Sequence, residues 1–97
     1  MTENHVGKVD HFFGRIKVAT VSLDAPVRKG DWLRIRGAND DLHFRVRSME
    51  VDHKPIEKAE PGQVVGIKVP AKAHSGSEVL RSDARPGFWA RLLSWGS

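Results

Sequence analysis

Between Trp32 and Arg47 two short runs alternate charged with apolar residues. Trp32, Arg34 and Arg36 stand on one phase, with Leu33 and Ile35 on the other; His43, Arg45 and Arg47 then alternate with Phe44 and Val46. Successive side chains of a strand point to opposite faces. Inward Leu33, Ile35, Phe44 and Val46 therefore set Trp32, Arg34, Arg36, His43, Arg45 and Arg47 on one outward face. Gly37-Ala38-Asn39-Asp40-Asp41 is a loop signal that joins the two runs as a hairpin. Pairing Arg36 with His43 opposes Arg34 to Arg45 and Trp32 to Arg47. Like charges opposed across a ladder destabilise it, and a row of phosphates offsets that repulsion. Trp32 is then placed to stack on a base or on Arg47. The chemistry expected of this face is contact with a nucleic-acid backbone. The plainer alternative is a solvated basic face, partly neutralised by Asp31, Asp40, Asp41 and Glu50.

Other chemistries find less support. The histidines, His5, His11, His43, His53 and His74, show neither i, i+4 helical spacing nor a neighbouring cysteine, so no metal and no cofactor are expected. Cysteine is absent, which removes thiolate zinc sites, disulfides and cysteine nucleophiles together. Asp52 and His53 are strand neighbours pointing to opposite faces, so neither orients the other. Ser48 and Ser75 lack the partners a nucleophile needs. No catalytic residue is assigned, and the chain is expected not to be an enzyme.

A second surface is expected after Arg85-Pro86-Gly87. Phe88 and Leu92 are four residues apart, as are Trp89 and Leu93, which places them on adjacent rows of a helical face, with Trp95 beyond. Pro86 suits a helix start. A helix this short is marginal alone in water and needs something to pack against. Phe88, Trp89, Leu92, Leu93 and Trp95 either dock on a protein partner or fold back onto an open end of the strand domain.

The elements that carry these residues are strands. Val6–Phe13, Arg15–Leu23, Asp31–Arg36, Leu42–Asp52, Gln63–Val69 and Glu78–Leu80 read as six, with turn signals at close intervals. Ile16 and Val18 share one phase while Val21 and Leu23 take the other, which predicts a β-bulge near Ala19-Thr20. A second phase change predicts another near Arg47-Ser48. Pro61-Gly62 suits a type II turn with positive φ at the glycine. At 97 residues one folded unit is the natural count, divided here into a strand domain over 1–83 and a hinge with an aromatic tail over 84–97. The formal charge of +4 favours acidic partners. Met1-Thr2-Glu3-Asn4-His5 lacks the apolar stretch of a secretory signal and no run is long enough to span a membrane, so a cytoplasmic location is expected.

The phrases Gly7-Lys8-Val9, Lys29-Gly30-Asp31, Ser48-Met49-Glu50-Val51-Asp52-His53, Ala59-Glu60-Pro61-Gly62 and Val65-Gly66-Ile67-Lys68-Val69 come in an order that resembles domain two of translational GTPases of the elongation factor Tu type. More closely, the chain resembles small stand-alone translation elongation factor-like proteins. A related β-barrel of collagenase-like peptidases that modify RNA looks similar by these phrases. The resemblance implies a closed six-stranded Greek-key barrel over roughly Val6 to Leu80. It implies no GTP hydrolysis, because no G-x-x-x-x-G-K-[ST] phosphate loop occurs. The expected function is a non-catalytic module that binds tRNA, ribosomal RNA or a ribonucleoprotein through the basic face. The alternative is an adaptor docking on a larger enzyme or factor through the aromatic tail.

Overall fold

Alternating apolar residues become buried strands wherever a turn lets the chain fold back on itself. The computed structural model describes residues 3–82, with side chains from Asn4 onward. The described residues form ten strands and no helix: β1 (Glu3–Phe13), β2 (Val18–Leu23), β3 (Val27–Arg28), β4 (Trp32–Arg36), β5 (Asp41–Arg45), β6 (Met49–Val51), β7 (Lys54–Pro55), β8 (Lys58–Ala59), β9 (Val64–Lys68) and β10 (Glu78–Ser82). The expected C-terminal helix, with Phe88, Trp89, Leu92, Leu93 and Trp95, lies outside the described residues.

The protein is all-β. Its main sheet runs β5-β4-β10-β1-β2-β9-β6-β7, and β3 pairs separately with β8. Every ladder is antiparallel. The closed six-stranded barrel expected from sequence is corrected to an open sheet, since among the described residues no ladder joins its two ends. The reason lies at Val46–Ser48. Strand β5 sits at one end of the sheet and β6 near the other, yet these few residues connect them, so the sheet must curl around its core. Val46 donates its amide to Asp31 and accepts from Gly30, each at 2.8 Å, while Ser48 accepts from Lys68 at 3.2 Å. A single chain passage with isolated bonds bridges the gap where a ladder would close it.

The concave side holds one apolar core, built by Val6, Val9, Val21, Leu33, Ile35, Met49, Val65, Ile67 and Val79 among others. Burying a side chain of this kind stabilises the fold by about 1.5–3 kcal/mol. The inward phase read from sequence for β4 and β5 is the phase that packs: Leu33, Ile35, Phe44 and Val46 are all buried. The phase change at Arg47-Ser48 is where the chain leaves β5 for β6. The bulge expected near Ala19-Thr20 is elsewhere. Strand β2 alternates without a slip, with Ala19, Val21 and Leu23 buried, and the irregularity falls on β1 between Val9 and His11. Gly7 lies within β1, where any Cβ would collide with the Ser22 carbonyl. Gly62 has φ 90°, as a type II turn at Pro61-Gly62 requires.

Candidate docking groove and the charged hairpin face

Trp32, Arg34, Arg36, His43 and Arg45 do share one face of the β4–β5 hairpin, but with other partners than expected. The ladder pairs Trp32 with Arg45, Arg34 with His43 and Arg36 with Asp41. The tight turn explains the shift. Gly37 and Asp40 bond to each other's carbonyls, which frees Asp41 to join the strand. A two-residue shift keeps every side chain on its face, because strand alternation has period two.

The new register replaces repulsion with pairing. Arg34 grips Asp41 through Nε–Oδ1 at 2.8 Å and Nη2–Oδ2 at 3.2 Å, a forked contact. His43 lies 3.5 Å from the same carboxylate. Across the other ladder Arg36 opposes Glu78 and meets it at 3.2 Å. Row by row, Glu78, Arg36 and Asp41 alternate in sign. The Arg34 guanidinium holds the Asp41 carboxyl below its ordinary pKa. His5 and then Arg36 do the same for Glu78.

Arg45 and Arg47 stand apart from this network. Arg45 donates Nε to the Gly30 carbonyl at 3.3 Å, and both arginines line a shallow, open depression with Lys29, Gly30 and Glu57. Arg47 thus falls beyond the ladder of the predicted basic set.

Two polar clusters brace the same half of the molecule. Asp40 is 6% exposed and accepts from Ser77 Oγ at 2.6 Å, from the His74 amide at 2.7 Å and from His74 Nδ1 at 2.7 Å. Burial raises the Asp40 pKa, but the Ser77 and His74 bonds outweigh it, and the carboxyl sits below its ordinary value. The residue types are those of a hydrolase triad and the geometry is not. In a triad the serine bonds the histidine, whereas here serine and histidine both bond the aspartate. The cluster clasps the turn at Gly37–Asp40 to the loop before β10. Among the described residues no group of three or more metal-ligating side chains is placed to hold an ion.

His5 forms the second cluster, with Nε2 on Asp24 at 2.8 Å and Nδ1 on Glu78 at 3.0 Å. A neutral imidazole has one N–H, so serving both carboxylates requires the imidazolium. The bonds to Asp24 and Glu78 raise the His5 pKa accordingly.

The opposite half carries a trough of about 690 Å³ on the outward side of β2, β9 and β6. Val18, Thr20, Gly66 and Glu50 form its floor, and Phe13, Ile16, Val64, Asp52, His53 and Lys68 rise around it. Gly66 sits mid-strand between Thr20 and Glu50. A Cβ there would press within 3.2 Å of Val18 Cγ1, so the missing side chain keeps the floor open. The exposed large hydrophobics of the described residues, Phe13, Ile16 and Val64, are 45%, 55% and 54% exposed, and all line this trough.

The turns at its margin are strained. Lys17, Asp52 and His53 are the described non-glycine residues with positive φ, at 54°, 53° and 64°. Lys17 ends the turn between β1 and β2, and Asp52-His53 makes the turn between β6 and β7. Such conformations cost of order 1–3 kcal/mol each and gather at functional sites. Lys68 is tied to the Ile16 carbonyl at 3.0 Å, while Glu50 and Asp52 make no side-chain hydrogen bond or ion pair.

The sequence reading missed this trough. Its one signal was the phase of Ile16 and Val18, apolar on the side that Val21 and Leu23 turn away from. That conflict marks an apolar outer face rather than a slip of β2.

No protein-family model matches the chain. It is 31% identical over 75 residues to an uncharacterized protease of Methanocaldococcus jannaschii, a match over 76% of this chain and 18% of that protein. The chain thus spans under a fifth of the relative's length. Among solved structures it superimposes on the C-terminal domain of a Geobacillus thermoleovorans protein assigned as a U32 peptidase, with TM-score 0.77 and 18% identity, covering 82% of this chain and 93% of that one. The selenomethionine variant of the same domain gives TM-score 0.76 and 21% identity, covering 81% and 99%. GDP-bound aIF5B from Aeropyrum pernix gives TM-score 0.56 and 13% identity, covering 81% of this chain and 14% of that one. These findings correct the resemblance drawn from the turn phrases. The sequence relative is a protease and the fuller fold match is a peptidase C-terminal domain, so neither the translation elongation factor-like identification nor the RNA-binding function stands. The charge pairing on the hairpin face removes the physical motive for the latter.

Proposed function

We propose that this chain is a non-catalytic protein-interaction module that acts on a larger enzyme of the U32 peptidase kind. The observation that supports the reading is the fold match with the C-terminal domain of a protein assigned as a U32 peptidase, which the chain covers nearly end to end. The sequence relative supports it, since the matching part is a small fraction of a protease. The described residues offer a surface suited to such a role. The trough joins exposed apolar side chains to strained turns, and exposed apolar patches mark interaction sites. The aromatic segment from Phe88 to Trp95 is a second apolar surface readable from the sequence.

The test is a titration of the full chain against the catalytic region of a U32 peptidase, followed by calorimetry. Saturable binding is expected, weakened when Gly66→Val fills the trough. Absence of binding at every concentration reached, with both proteins folded, would sink the proposal.

A further inference from the structure

Strand β5 ends the main sheet, and half of its backbone faces outward unmet. The Gly37 and Asp40 amides each bond the other's carbonyl, at 3.0 and 3.4 Å, and the Val46 amide bonds the Asp31 carbonyl at 2.8 Å. Hydrogen-bonded and non-bonded pairs alternate along an antiparallel ladder. Between those anchors the bonded pairs are Ile35 with Leu42 and Leu33 with Phe44. The amides and carbonyls of Asp41, His43 and Arg45 therefore point away from β4, toward an edge that no described strand covers. Among the described residues nothing else bonds these backbone groups. The other end of the sheet is blunted, since β7 is two residues long and contains Pro55, while β5 runs for five without proline.

A basic depression lies at the end of this edge. Lys29, Arg45 and Arg47 line it with a single acid, Glu57, which Lys29 meets at 3.6 Å. Arg45 spends Nε on the Gly30 carbonyl. Its terminal amino groups and the Arg47 guanidinium have no partner among the described residues.

Two needs thus meet at one place. Open carbonyls beside open amides call for a partner that accepts and donates at each step, which is an extended peptide. Uncompensated guanidinium groups call for carboxylates. The chain's own tail has the wrong sign, since residues 84–97 include Arg85 and Arg91 and no acid. A second β5 paired about His43 would bring Asp41 to Arg45, but Arg34 already grips Asp41, and Arg47 would face neutral Asn39.

We propose that β5 receives an acidic strand of a partner protein, added along its open edge, with carboxylates at alternate positions against Arg45 and Arg47. Alternate residues of a strand share a face about 7 Å apart. The residues between them turn inward beside Leu42 and Phe44, where apolar side chains fit. The depression shares no residue with the trough, so this edge is judged separately from enzyme docking.

Amide hydrogen exchange of the full chain, followed by NMR during titration with the capped peptide TVEVEVT, tests the proposal. Saturable binding is expected. At saturation the His43 and Arg45 amides should exchange about tenfold more slowly, while Leu42 and Phe44, already bonded to β4, change little. The glutamine peptide TVQVQVT should bind several-fold more weakly, and Arg45→Gln/Arg47→Gln should erase the difference between the two peptides. Both arginines are exposed, so that variant leaves the core intact. Four results would overturn the proposal: no binding of TVEVEVT to the folded chain, equal binding of both peptides, binding without protection of His43 and Arg45, or protection that grows with protein concentration before any peptide is added. The last would give the edge to a second copy.

Discussion

The two outward faces of one curled sheet handle exposure in opposite ways. On β10, β4 and β5 the outward side chains alternate in sign and satisfy one another, from Glu78 to Arg36 and from Arg34 to Asp41. Behind them Asp40 clasps His74 and Ser77, and His5 joins Asp24 to Glu78. On β2, β9 and β6 the outward face joins apolar Val18 and Val64 and the missing side chain of Gly66 to Thr20, Lys68 and Glu50, and Glu50 and Asp52 have no partner among the described residues. Apart from Arg47 and the Arg81 Nε, the charges of one half are largely paired among the described residues. The other leaves apolar surface and charge that no described residue satisfies. A face rich in arginine looked functional in the sequence, yet the face with the larger unmet need is the apolar one.

The comparison breaks most sharply at Asp40. Replacing it by alanine removes the acceptor for Ser77 and for the His74 amide in a site that is almost fully buried. Leaving such donors unsatisfied costs of order 1–3 kcal/mol, and the expected loss in urea-unfolding free energy is about 3 kcal/mol. An equally stable variant would mean that the closed half does not depend on its polar clasp.

At the margin of the trough the sign reverses. His53→Gly turns Asp52-His53 into Asp-Gly, the favoured pair for a hairpin turn with positive φ at both central residues. Relief of that conformation should stabilise the fold by about 1 kcal/mol. If binding to a partner falls at the same time, the strain serves the trough; if binding is unchanged, the turn is merely tolerated.

These contrasts explain what could be read from the sequence. The inward phase of Leu33, Ile35, Phe44 and Val46 was legible, since burial on one side imposes alternation. So was the outward face of Trp32, Arg34, Arg36, His43 and Arg45. Their partners were not, because sliding the hairpin by two residues preserves every face and changes every opposite pair. Only the Gly37–Asp40 turn decides between those registers, and Gly-Ala-Asn-Asp-Asp accommodates either. The Asp40 clasp joins residues 34 and 37 positions apart, and no local pattern announces such a contact. The trough was written in the sequence as a contradiction of phase at Ile16 and Val18. It was resolved by assigning a bulge to β2, whereas the bulge belongs to β1 and the apolar residues face outward.

Acidity should act on the closed half from both sides. The His5 pKa is raised, so its stabilisation is full below the ordinary histidine value and fades as pH rises through the raised one. The Asp40 pKa is lowered, so its contribution is present above the ordinary aspartate value and fades as pH falls through the lowered one. Thermal unfolding against pH should show both slopes; His5→Gln should flatten the alkaline one and, through the lost bond to Glu78, weaken the acid one while leaving the Asp40 contribution in place. A slope at neutral pH that survives His5→Gln would assign it to another group.

The smallest effect belongs to the most conspicuous pair. Arg34 and Asp41 meet in a forked contact, yet Asp41 is exposed, and exposed ion pairs lose most of their attraction to water and salt. A double-mutant cycle with Arg34→Gln and Asp41→Asn should give a weak favourable coupling that disappears in 1 M salt, about the concentration at which screening reaches 3 Å. Enzyme binding should not respond to either substitution. If it did, docking would extend over the charged face, and the division of labour between the two halves would fail where it is now drawn most clearly. A coupling that persisted in high salt would instead show the fork shielded from solvent, making the closed half tighter than its exposure suggests.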